Sequence, residues 1–172
     1  MAGLLPQSAG TLDWGGAAIA RDPVAHREHL HFIGHQDAVK PVLTVLETVT
    51  FWGGLHGGIA TLAEAALDRF GIAPLAGFPC RLLSAGQKKR LALARLLAAP
   101  APLWLLDEPT TGLYAAATRD LEAVIAEHRR GGGIVVASTH IPLAMDDAKT
   151  LSLADFKPAT DTYELWEDEA TL

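Results

Sequence analysis

The chain has 172 residues, 49% of them apolar, a formal net charge of −6 and a single cysteine, Cys80. That length fits one domain with a sizeable core, and one cysteine excludes an internal disulfide or a cysteine-built metal site. Asp161, Glu164, Glu167, Asp168 and Glu169 crowd the last segment; the rest is close to neutral and lacks the basic surface with which nucleic-acid binders meet phosphates, so no nucleic-acid partner is expected.

Residues 1–7 lack the basic start and long apolar run of a secretory signal. No stretch approaches the ~20 apolar residues of a membrane span, the richest being broken by Arg95, Pro100 and Pro102. The expectation is a soluble protein whose membrane link comes through a partner.

Gly15-Gly16, between residues 11–14 and 17–20, predicts a hairpin. Asp22-Pro23 predicts a short helix to about His29, followed by a strand over 30–34 that ends before His35 and Gln36. Thr44 and Glu47 have capping-box spacing and open a helix with Val45, Val49 and Trp52 on one face, weakened at Gly53 and Gly54. A second helix over 59–70 aligns Leu62, Ala66 and Phe70, with Gly71 as its C-terminal cap. After the loop 72–82, Ser84 and Gln87 form another capping box, and the helix over 85–99 stops before Pro100.

Residues 103–106 read as a strand buried on both faces. Residues 115–130 read as a helix with Leu121, Val124, Ile125 and His128 on one face. Residues 134–139 read as another buried strand and 149–153 as one more. Strands alternating with helices across 84–153 predict an α/β fold with a mostly parallel sheet, and the strand-free stretch 37–83 predicts an inserted helical subdomain.

Four places carry candidate chemistry. An apolar strand ending in Asp107 and Glu108 puts carboxylates at the carboxyl edge of a sheet, where α/β proteins bind ligands. Adjacent strand residues point opposite ways, so one acid can serve Mg²⁺ and the other an attacking water; a strand ending in a plain Asp-Glu-Pro turn is the alternative. Ser84, Ala85, Gly86 and Gln87 start a helix whose first turns carry Lys88, Lys89 and Arg90. Cations there oppose the helix dipole, and a bound anion would offset that cost; a merely well-capped helix is the alternative. His140 and Gln36 each follow a strand and say little singly.

In chain order, Gln36, the helical insert, Leu83-Ser84-Ala85-Gly86-Gln87, Leu103-Trp104-Leu105-Leu106-Asp107-Glu108-Pro109 and His140 resemble the motif series of ABC ATPases. They match its glutamine loop, signature motif, Walker B strand and switch histidine. The resemblance implies a P-loop NTPase-like ABC ATPase domain, N-terminally truncated, with ATP and Mg²⁺ as its cofactors. Residues 1–36 and 84–154 would form the ATPase core, 37–83 the helical subdomain and 155–172 an acidic tail. Asp107 and Gln36 would serve the metal, Glu108 would be the catalytic base and His140 would sense the γ-phosphate. Ser84, Ala85, Gly86 and Gln87 would face ATP held by a second ABC ATPase subunit in a head-to-tail dimer. Within the superfamily, Phe32-Ile33-Gly34-His35-Gln36, Lys40, Leu43-Thr44, Leu46-Glu47 and Phe51-Trp52 look like the heme-export subunits of cytochrome c maturation. That implies transmembrane permease subunits as partners and a peripheral place on the cytoplasmic face of the inner membrane.

Two features depart from the family pattern. No G-x-x-x-x-G-K-[ST] string, the loop that cradles phosphates, occurs in these 172 residues. Residues 2–10 instead resemble the segment following that loop, so the chain is expected to begin inside its family's first helix and to be inactive by itself. Truncation also predicts undercovered apolar faces on 103–106 and 134–139. At the D-loop position stands Tyr114 where the family usually has Asp, which bears on the contact between subunits. The alternative reading is a non-catalytic remnant that completes a partner's nucleotide site. A DNA-repair ATPase is disfavoured by the acidic balance and the short insert without a coiled-coil arm.

Overall fold

A computed structural model describes residues 1–5, 7, 9–145 and 147–156; most of the acidic segment lies outside the described residues. The first element is a ribbon of β1 (Asp13–Trp14) and β2 (Ala17–Ala18), antiparallel about Gly15 and Gly16. Both glycines have positive φ, +58° and +83°, as the hairpin turn demands. Next, α1 (Pro23–Glu28) starts at Asp22, whose side chain accepts from the Ala25 amide, and leads into β3 (Leu30–Ile33).

Two helices follow, α2 (Val45–Gly54) and α3 (Ala60–Arg69). The Thr44–Glu47 capping box is made in both directions. Helix α3 ends as its sequence predicts: Gly71, at φ +63°, lets its own amide reach Asp68 and that of Ile72 reach Leu67, satisfying the last carbonyls. Its buried stripe is Ala63, Ala66, Leu67 and Phe70; Leu62 is exposed, because the face turned to α4 is one residue further round. Two short 3₁₀ turns then lead to α4 (Ala85–Ala98), which packs on α2, α3 and β3.

Strand β4 (Leu103–Asp107) inserts between β3 and β5 (Ile134–Ser138), with α5 (Ala115–Arg130) crossing over between β4 and β5. Both pairings are parallel: Ile33 lies opposite Leu106, and Asp107 opposite Ser138. The strand period of two divides β4 between two clusters. Trp104 and Leu106 join the main core with Leu91, Leu121, Val124 and Ile125, while Leu103 and Leu105 join a smaller cluster with Leu30, Phe32 and Trp14.

Three expectations fail. Residues 103–106 are covered on both faces rather than undercovered. Strand β5 is not buried on both faces: Val135 and Ala137 pack against the core, while Ile134 and Val136 are exposed, the undercovered apolar face expected of 134–139. Residues 149–153 form no strand; they are exposed and lead into a 3₁₀ turn at Leu153–Asp155.

Candidate functional site

The parallel register brings the carboxyl ends of β3, β4 and β5 to one edge, where Asp107, Glu108 and His140 converge. The Ser138 hydroxyl donates to Asp107 Oδ1 at 2.6 Å, which fixes that carboxylate and leaves Oδ2 for another ligand. The Glu108 amide donates to the Ser138 carbonyl at 2.9 Å, continuing the ladder one residue past the strand. Its side chain is then held by His140, whose amide donates to Oε1 at 3.1 Å and whose Nδ1 lies 2.8 Å from Oε2.

Alternation along a strand is not what separates the two acids. Glu108 sits at φ +45°, in the left-handed region that costs a non-glycine residue about 1–2 kcal/mol. The chain bends at that residue, and the bend aims Glu108 at His140 while Asp107 stays in register with Ser138.

Residues 84–87 lie elsewhere. They line a second cavity of about 560 Å³ together with Gly112, Tyr114 and Asp120. Ser84 accepts from the Gln87 amide, and Gln87 Oε1 accepts from the Ser84 amide, so the hydroxyl hydrogen and the amide NH₂ remain as donors. Gly86 is there for space: a Cβ would come within 2.9 Å of the Gly112 carbonyl oxygen. Tyr114 is 87% exposed at the start of α5.

Two of the three basic residues in the first turns of α4 have partners within the chain. Lys89 is buried and pairs with Asp37 at 3.4 Å, and Arg90 donates to the Phe70 and Gly71 carbonyls at the end of α3. These partners offset the cost of placing Lys89 and Arg90 against the helix dipole.

Gln36 is exposed and lines a cavity of about 290 Å³ with His31, Asp37, Trp52, His56 and Arg95. The Arg95 guanidinium stacks over Trp52 at 3.8 Å and donates to the Asp37 carbonyl; burial lowers its pKa to about 10, opposed by the Asp37 charge. His31 is buried, bonds the Ala99 carbonyl through Nε2 at 2.9 Å, and has its pKa pushed down to about 4, chiefly by burial. The structure therefore groups Asp107, Glu108 and His140 with a fourth residue, Ser138, that motif reasoning missed. Its signal was the register of two parallel strands, which no single stretch of sequence displays. No helix among the described residues is long and apolar enough to cross a membrane.

Comparison with known proteins places these features. The family model described as "ABC transporter" matches residues 1–111. The cytochrome c biogenesis ATP-binding export protein CcmA of Paramagnetospirillum magneticum is 55% identical over 163 residues, covering 92% of this chain and 75% of that protein. The protein of the same description from Rhodospirillum rubrum is 54% identical over 155 residues, covering 90% of this chain and 66% of its own length. A solved ATP-binding cassette, described as a dimeric post-hydrolysis state bound to ADP and Pi, superposes with a TM-score of 0.74. It covers 81% of this chain and 66% of that one at 23% identity, a likeness of fold.

Proposed function

We propose a function from one premise: the chain belongs to the ABC transporter family of ATP-binding proteins. It serves as the ATP-hydrolysing subunit of an exporter that moves heme for cytochrome c biogenesis. The observation that carries the catalytic part is the pair at the sheet edge, where the His140 amide donates to one Glu108 oxygen and Nδ1 lies 2.8 Å from the other. Glu108 deprotonates the attacking water and His140 keeps the carboxylate aimed, so that a phosphoryl group arriving at this edge meets an oriented base. The export part is supported by the relatives' name.

The residues present fit Mg²⁺. That ion keeps several waters and takes one or two protein oxygens beside substrate phosphates. The described residues hold no cluster of three or more potential ligands, and Asp107 offers one oriented carboxylate. Asp107 would hold the ion, which when bound neutralises phosphate charge; Gln36, which lines a different cavity, is a second ligand on the family resemblance alone. Ser84, Ala85, Gly86 and Gln87 bind ATP from the opposite side, through the donors left over from the capping box and the amides of the first helical turn. They act on nucleotide held by a second subunit, because they line a cavity separate from the acids. The subunit sits peripherally on the cytoplasmic face of the inner membrane, attached through permease subunits.

The 172 residues alone neither bind ATP tightly nor hydrolyse it, since they contain no phosphate-cradling string. Titration with ATP tests this, and micromolar affinity overturns it. A fusion supplying the phosphate-loop region of the Paramagnetospirillum relative upstream tests the function itself. Hydrolysis should appear and depend on Glu108; a fusion that neither binds nor hydrolyses ATP favours the non-catalytic alternative, as does Tyr114 in place of the family's usual Asp.

A further inference from the structure

Lys89 is 4% exposed, and a lysine buried to that degree requires a partner. Its partner is Asp37, on the loop between β3 and α2 and next in sequence to Gln36, with Nζ 3.4 Å from Oδ1. The same loop residue is gripped a second time from α4, by Arg95 Nη1 on the Asp37 carbonyl at 3.4 Å. Arg95 is itself backed by the Trp52 ring of α2. Beside this double grip, Ala38 is held at φ +48°, a conformation that persists where the surroundings over-determine it. Lys89 lies in the second turn of the helix that begins at Ser84.

We propose that Asp37 is a positioning residue, whose ion pair with Lys89 ties the loop carrying Gln36 to the start of α4, so that Gln36 and residues 84–87 shift together. A free loop could reorient without disturbing the helix. A loop whose carboxylate is the counter-ion of a buried lysine cannot, because separating them leaves an uncompensated charge in the interior. The functional meaning of the two ends rests on the function proposed above; the mechanical link does not.

The test uses the full chain, without nucleotide, by NMR. Each substitution is made on one element and read on the other. Lys89→Met should displace the backbone resonances of Gln36 and Ala38. Asp37→Asn should speed hydrogen exchange roughly tenfold or more at the Gln87 and Lys88 amides, both bonded to Ser84, while β4 and α5 keep their rates. The double variant should do no more than the singles, the mark of a shared interaction, and Lys89→Arg should return both readouts to their original values. Effects confined to the substituted element, or singles that add in the double variant, overturn the proposal. Should Asp37→Asn or Lys89→Met unfold the chain, Asp37→Glu carries the test by moving the charge one methylene: unmoved Gln87 and Lys88 resonances overturn it. A failure of ATP binding would sink the proposed function and leave these readouts untouched.

Discussion

His140 contacts Glu108 twice, with its amide on one carboxylate oxygen at 3.1 Å and Nδ1 on the other at 2.8 Å. Glu108→Gln keeps the shape and the hydrogen bond from the His140 amide while removing the base. In a chain supplied with a phosphate loop, turnover should fall roughly 10²–10⁴-fold with ATP binding retained. Phosphate release and calorimetric titration check the two halves; unaltered turnover would mean the base lies elsewhere.

Ser84 has a structural duty apart from any nucleotide. Its hydroxyl caps α4 and its amide is capped in return by Gln87. Ser84→Ala should therefore cost about 1 kcal/mol of stability in the absence of ligand, read as a lowered urea midpoint at unchanged slope. Loss of activity in that variant must be compared with Ser84→Asn, which restores a cap.

His31 makes stability depend on pH in a defined window. Its folded pKa is about 4 against an ordinary 6.5, so the unfolded chain binds more protons between those values. Stability is full above pH 6.5 and falls as the pH drops toward 4, by on the order of 3 kcal/mol at most. His31→Gln, which keeps a donor for Ala99, should flatten this part of the profile in chemical denaturation. An unchanged slope between pH 4 and 6.5 would rule out His31 as its source.

Two nearby glycines should respond oppositely to alanine. At Gly58 a Cβ would stand 2.0 Å from the Ala98 carbonyl oxygen, which belongs to backbone and cannot turn aside; Gly58→Ala should destabilise by roughly 1–3 kcal/mol. At Gly54, the last residue of α2, a Cβ meets nothing within 4 Å and the backbone is not in the left-handed region, so Gly54→Ala should stabilise by roughly 0.4–1 kcal/mol. Thermal melts of the pair decide it; equal shifts would refute the packing account.

What the sequence shows plainly is whatever is local. The Thr44 and Ser84 boxes, the Gly15-Gly16 turn and the Gly71 cap were readable because a few adjacent residues satisfy their own backbone groups. The meeting of Asp107, Glu108 and His140 at one sheet edge was readable as a motif series along the chain. The Ser138 contact and the Asp37–Lys89 pair were not, since each joins residues 31 and 52 positions apart. For the same reason the partner of Lys89 was hidden: a lysine bound to a distant aspartate looks, in sequence, like a lysine awaiting an anion. Strand β5 misled because an apolar run does not disclose whether both its faces find cover.

The left-handed backbone at Glu108 sets folding against chemistry at a single position. Glycine takes φ +45° without steric cost, so Glu108→Gly should raise the unfolding free energy by about 1 kcal/mol while removing the proposed base. A library selected for heat resistance alone would thus be drawn to this codon. Enrichment of glycine or asparagine at position 108 would trace the site from the outside, with no assay of ATP at all.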